Sequence, residues 1–180
     1  KDRPAVIICP GGGYFNCSDR EAEPIALKSA SMGYHAFVLR YSTYCEGTGA
    51  FPDLSKPLTA KAHCQNPVPV REIGQAMLIV REHAREWMVD VDRIAVCGFS
   101  AGAHNAAMYA ANWHTDMISG HFGKEKELFR PAAAILGYML SDYIDMKEAV
   151  KGASPMDQAF FAASNPAFLG GAASSDEVLA

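Results

Sequence analysis

Short, uninterrupted apolar runs alternate along this chain with stretches whose apolar residues recur every three or four positions. Ala5 to Cys9, bounded by Pro4 and Pro10, has no polar position on either face, the pattern of a strand buried on both sides of a parallel sheet. A glycine-rich turn follows. Ser18 stands three residues before Glu21, the spacing of a capping box, and Ile25, Ala26, Ala30 and Met32 continue at helical intervals to Gly33, which stops the element. Tyr34 to Tyr41 is aromatic and β-branched enough for a second strand. Val70, Ile73, Met77, Val80, Ala84 and Trp87 predict one amphipathic helix over Val70 to Met88, with Gly74 weakening its first turns. Arg93 to Cys97 reads as a third strand, Ala101 to Asn112 as an alanine-rich helix, and Pro131 to Leu140 as a further buried strand. This alternation predicts an α/β fold, a mostly parallel sheet with helices on both faces.

Two stretches lack a period. Tyr44 to Pro69 is rich in Gly, Pro, Ser and Thr, and a loop of that length in a compact domain is expected to be a functional wall or a lid. Residues 141–180 read as a partly helical connection or cap-like segment, with Ser174 to Ala180 resembling the start of a helix. No internal repeat or low-complexity linker divides the chain, so residues 1–180 are expected to form a single domain.

Composition narrows the function classes. With 180 residues, 49% of them hydrophobic and 20% charged, the chain can bury a sizeable core. A net charge of -4 without a basic stripe gives no basis for binding nucleic acid or an anionic membrane, and favours small-molecule chemistry. No apolar run is long enough to span a bilayer, and the opening residues lack a charged-then-apolar leader, which sets the expectation of a cytoplasmic protein. The five cysteines, Cys9, Cys17, Cys45, Cys64 and Cys97, form an odd set without CxxC spacing; they read as free thiols, a Cys45–Cys64 bridge being the one pairing left open. His63 and Cys64 with Cys45 have metal-ligand chemistry, but one adjacent pair in a proline-rich loop does not make a site. Neither a metal nor a cofactor is expected.

The chemistry concentrates at two glycine motifs. Gly98-Phe99-Ser100-Ala101-Gly102 is a GxSxG pentapeptide between an expected strand and an expected helix, the context in which a nucleophile elbow holds its serine above a sheet. Gly98 and Gly102 provide the small flanks, and Ala101, opening a helix, has a free N–H where an oxyanion would form. Upstream, Gly11-Gly12-Gly13 directly follows the first strand and lets the backbone turn its amides toward a ligand. A phosphate cradle is the rival reading, but neither GxGxxG nor a GK[ST] ending is present.

On these motifs, the stretches PAVIICPGGGYFNCSDREAEPIA, GYHAFVLRYS and VDRIAVCGFSAGAHNAA resemble the bacterial α/β-hydrolases of the acetyl xylan and feruloyl esterase branch, near the hormone-sensitive-lipase-like esterases. Pro10 stands where the lipase-like group has a histidine. The resemblance implies an α/β-hydrolase fold, Ser100 as nucleophile, the amides of Gly12, Gly13 and Ala101 as oxyanion donors, and a structural role for His104. It also implies that the chain opens near the third strand of the fold and stops before the strand that delivers the catalytic acid.

The rest of the triad is not found by reading on. In this fold the acid and then the base follow the nucleophile, yet His114 and His121 precede the Pro131 strand and read as loop histidines. Asp142 and Asp145 follow that strand, at a position unlike the family's acid. Trp87 and Trp113 read as packing residues, and the acidic segment Asp19 to Glu23 as a solvated, dipole-matched helix start. Tyr14 and Phe15, just past the glycines, are candidates for an acyl pocket. The function expected is a serine hydrolase cleaving carboxylic esters, such as acyl groups on sugars, through an acyl-enzyme on Ser100, with a small-molecule ester as its partner. The alternatives are a non-catalytic binding protein of the hydrolase fold, or a peptidase or arylformamidase sharing the same elbow.

Overall fold

The computed structural model describes residues 2–48, 51–56 and 58–170. Four parallel strands, β1 (Arg3–Cys9), β2 (His35–Val38), β3 (Val89–Phe99) and β4 (Ala133–Gly137), make one sheet in the order β2-β1-β3-β4. Six α-helices accompany them: α1 (Glu23–Ser31), α2 (Val68–Glu82), α3 (Ala84–Trp87), α4 (Ala101–Asn112), α5 (Tyr143–Ala149) and α6 (Pro155–Leu169).

The period of two in β1 decides which helix covers which face. Ala5, Ile7 and Cys9 point to the larger core, with Val70, Ile73 and Met77 of α2 and Ala106 and Tyr109 of α4. Val6 and Ile8 point the other way and, with Cys97, pack under Ile25 and Ala26 of α1. Both faces of the central strands are therefore covered. Full burial of each aliphatic side chain contributes roughly 1.5–3 kcal/mol, so the larger face carries most of the stability.

Several expectations need correction. The helix expected over Val70 to Met88 is two: α2 ends at Glu82 and α3 resumes at Ala84. His83 shares the Ile79 carbonyl with its own amide and stacks on Trp87, and Met88 closes α3 in the left-handed region at φ 56°. The strand at Arg93 to Cys97 begins earlier, at Val89; an irregularity between the Arg3 and Ala5 pairings absorbs the extra residues, with Arg93 Nε against Asp90 at 2.6 Å. The second strand ends at Val38, and Arg40 then swings out to Asp19. Ser18 makes no side-chain cap, so the capping box does not form.

The fourth strand was expected to be buried. Instead β4 is exposed along Ala133 to Leu136, with Ile135 54% accessible, because it pairs with β3 alone and among the described residues nothing covers its other edge. All five cysteines are free, so the Cys45–Cys64 bridge is absent. The long loop is a wall: Leu54 and Leu58 pack on the core, and the Asn66 amide and Cys64 thiol donate to the Phe168 and Ala167 carbonyls of α6. Of the segment from Ser141 onward, α5 and α6 lie over the end of the sheet where Ser100 sits; the helix start expected at Ser174 to Ala180 lies outside the described residues. Among the described residues no helix is long and apolar enough to cross a membrane.

Among the described glycines, the backbone approaches closest at Gly102. A Cβ there would collide with the carbonyls of Cys9 and Pro10, whereas one at Gly152 would meet nothing. Gly102→Ala is expected to lower the unfolding free energy by at least about 2 kcal/mol, and Gly152→Ala to change it by less than about 0.5 kcal/mol, both read from urea denaturation midpoints.

Candidate active site

Ser100 stands between β3 and α4 at φ 51° and ψ -121°, a region that non-glycine residues enter only when the surroundings hold them there. Two bonds do so. Its amide donates to the Gly137 carbonyl at the end of β4 (2.9 Å), and its carbonyl accepts from the His104 amide one turn into α4 (3.0 Å). The GxSxG glycines let α4 lie directly on its neighbours, Gly98 against the Gly102 backbone and Gly102 against the end of β1. The serine and the glycine loop are thus brought together by the packing of one helix turn.

The loop itself turns through left-handed backbone, with φ 133° at Gly12, 63° at Gly13 and 62° at Tyr14. The Phe15 amide closes it onto the Gly12 carbonyl (3.0 Å), and the Ser18 amide donates to the Gly11 carbonyl (2.8 Å). The buried Tyr41 hydroxyl donates to the Pro10 carbonyl at 2.6 Å. Gly11 gives its own amide to the Glu21 carboxylate at 2.6 Å. Among the described residues the Gly12 and Gly13 amides make no such bond, and Ala101, first in its helix, has no carbonyl one turn back. Three N–H groups near Ser100 are thus left unspent.

Ser100 borders two cavities of different character. One is small, about 40 Å³, and is walled by Tyr14, His104, Leu140, Tyr143, Phe160 and Phe161. The other is a wide cleft of about 450 Å³ whose lining includes Asn16, Ser18, Arg20, Glu21 and Tyr138. Gly13 and Ser100 belong to both walls. Tyr14 lines the small pocket, stacked on Phe168 with ring centroids 4.2 Å apart. Phe15, expected beside it, is fully buried and packs edge-on to Phe51 and Phe160.

His104 shares a 2.7 Å hydrogen bond, through Nδ1, with the Tyr14 hydroxyl. Burial pushes its pKa down to about 4, so it is neutral at pH 7, and burial holds the phenols of Tyr14 and Tyr143 protonated. Among the six histidines in the chain, His104 lines a cavity that Ser100 also lines; His114 and His121 sit against Trp113 and Phe122. Asp142 caps α5, accepting from the Ile144 and Asp145 amides at 2.8 and 2.9 Å. A catalytic base and acid are not assembled among the described residues. Nor is any group of three or more His, Cys, Asp or Glu placed to hold a metal ion there.

Sequence reasoning missed Glu21. It was read as a solvated helix start, yet its carboxylate takes the Gly11 amide with one oxygen and the Tyr138 hydroxyl, at 2.5 Å, with the other. Tyr138 was missed as well. The sole sequence signal was the capping-box spacing, which gave Glu21 a local partner it does not use.

A parallel sheet with a serine at a strained strand-to-helix turn, facing a glycine loop after the neighbouring strand, defines the α/β-hydrolase fold. Solved structures agree: MGS-M1, an α/β-hydrolase enzyme from a Medee basin deep-sea metagenome library, is 39% identical, with a TM-score of 0.58 over 78% of this chain and 46% of that one. The carboxylesterase Cest-2923 of Lactobacillus plantarum is 27% identical, with a TM-score of 0.63 over 89% of this chain and 51% of that one. Residues 57–178 match the model of the BD-FAE family, and the chain belongs to that family. Relatives by sequence include endo-1,4-beta-xylanase B of Butyrivibrio fibrisolvens, 29% identical over 87% of this chain, and esterase LipQ of Mycobacterium tuberculosis, 25% identical over 81%. The chain spans 23% and 31% of those two proteins.

The depressed pKa of His104 makes a prediction about acid stability. The unfolded chain, with an ordinary histidine near 6.5, binds this proton before the folded one does. The stability contributed by neutral His104 is thus present above about pH 6.5 and is lost as the pH falls toward 4, by about 3 kcal/mol in all. Urea unfolding at pH 7.5 and 4.5 should show that loss in the wild type, and a correspondingly smaller loss in His104→Gln.

Proposed function

We propose that this chain carries the nucleophile and oxyanion donors of a carboxylic ester hydrolase. The observation that carries the reading is Ser100 at its strained turn, shared by a small apolar pocket and a wide polar cleft. In this reaction Ser100 Oγ attacks the ester carbonyl. Its proton passes to a base, and the carbonyl oxygen becomes an oxyanion held by the amides of Gly12, Gly13 and Ala101. Collapse expels the alcohol and leaves an acyl-serine, which water hydrolyses to release the acid. An unassisted serine is a poor nucleophile, so turnover also requires a base, which none of the described histidines supplies.

The two cavities suggest which half of the ester goes where. About 40 Å³ has room for roughly two or three water-sized groups, which suits an acetyl group and not a long acyl chain. The wide cleft presents Asn16, Ser18, Arg20 and Glu21, donors and acceptors suited to a polyhydroxy alcohol such as a sugar. A second reading, a binding protein of the same fold, is favoured by one observation: no base stands beside Ser100 among the described residues. Ester, formamide and peptide substrates assayed side by side separate the esterase from a peptidase or arylformamidase.

In the full-length protein, Ser100→Ala is expected to abolish ester turnover and covalent labelling by a serine-directed phosphonate. A wild-type protein that stays unlabelled would support the binding reading. Across p-nitrophenyl esters, kcat/KM is expected to fall at least about tenfold from acetyl to hexanoyl; a flat profile would reject the small pocket as the acyl site.

A further inference from the structure

The Glu21 carboxylate joins two segments that meet at Ser100. One oxygen accepts the Gly11 amide at 2.6 Å and the other the Tyr138 hydroxyl at 2.5 Å. Gly11 opens the loop whose next two amides are unspent, and it has no space for a side chain: a Cβ would lie 2.6 Å from that same Glu21 oxygen and 2.9 Å from the Ser100 Cβ. Tyr138 directly follows Gly137, whose carbonyl holds the Ser100 amide. A single carboxylate therefore ties the loop after β1 to the turn after β4, on either side of the nucleophile.

Arg40 pairs with Asp19 and Glu23, and Arg20 shares the cleft wall with Glu21 and Tyr138. Tyr138 is 69% exposed and sits at φ 38°, a left-handed conformation that tyrosine adopts at a cost and that clusters at functional sites. An exposed phenol contributes little by burial, yet its hydroxyl is held by a carboxylate within the wall of the cleft that Ser100 shares.

We infer that Glu21 is a positioning residue for ester hydrolysis: through Gly11 it fixes the loop so that the Gly12 and Gly13 amides stay directed at the developing oxyanion, and through Tyr138 it locks that loop to the Ser100 turn. This role rests on the esterase reading above. It acts on the transition state, because oxyanion donors strengthen as charge develops, and so it bears on kcat more than on KM. The bond also leaves a spectroscopic mark: accepting from Tyr138 pushes that phenol up to about 12.

The test uses the full-length protein and p-nitrophenyl acetate. Glu21→Ala is expected to lower kcat about 100-fold with KM within about twofold, the scale of losing one oxyanion donor. Glu21→Gln keeps an acceptor for Gly11 and offers its amide to the Tyr138 oxygen, and should recover to within about tenfold of wild type. Tyr138→Phe, at an exposed position, should lower kcat by about threefold to tenfold. Ultraviolet titration, with Tyr138 isolated by difference against Tyr138→Phe, should show its pKa falling toward 10 in Glu21→Ala. An active wild type whose Glu21→Ala variant keeps its kcat, or changes only in KM or melting temperature, overturns this role and leaves the esterase reading intact. A wild type that neither turns over nor is labelled at Ser100 overturns that reading, and the role with it.

Discussion

The structure depends on the seating of the first turn of α4 against the end of β1. At Gly102 the helix backbone meets the carbonyls of Cys9 and Pro10 with no room for one further carbon, so strand, elbow and glycine loop cannot be separated without unpacking the core. Ala5, Ile7 and Cys9 anchor the strand on the large face, while Ala106 and Tyr109 anchor the helix on the same side. The hydrophobic core thereby sets the distance between a serine and a loop that lie nearly ninety residues apart in the chain. Hydrogen bonds then refine the orientation, since each is worth only about 1 kcal/mol net and acts on groups already brought close.

Around that contact, the site is built asymmetrically. On one side Tyr14, His104, Tyr143 and Phe160 and Phe161 of α6 close a pocket of about 40 Å³, in which burial keeps His104 neutral. On the other side the cleft is open and polar, and its wall carries the Glu21 carboxylate.

What could be read from the chain alone follows from locality. The elbow at Gly98 to Gly102 and the loop at Gly11 to Gly13 are contiguous motifs whose backbone demands show in their residue types, and the uninterrupted apolar run Ala5 to Cys9 marked a doubly covered strand. Element boundaries were legible only where local patterning set them. α2 and α3 share one apolar stripe, so the break at His83 did not show, and β4 read as buried because Ala133 to Leu136 are apolar, although the sheet leaves their edge uncovered.

The sequence by itself determined the order of strands and helices, the strand-to-helix turn at Ser100 and the glycines that surround it, since each rests on steric or periodic rules acting within a few residues. Tertiary structure decided the rest. Glu21 meets Gly11 and Tyr138 across 10 and 117 residues of chain, His104 meets Tyr14 across 90, and Phe15 turns into the core while its neighbour Tyr14 reaches the pocket. No pattern in a sequence encodes such pairings singly, because they exist only once the sheet has placed its loops at one end.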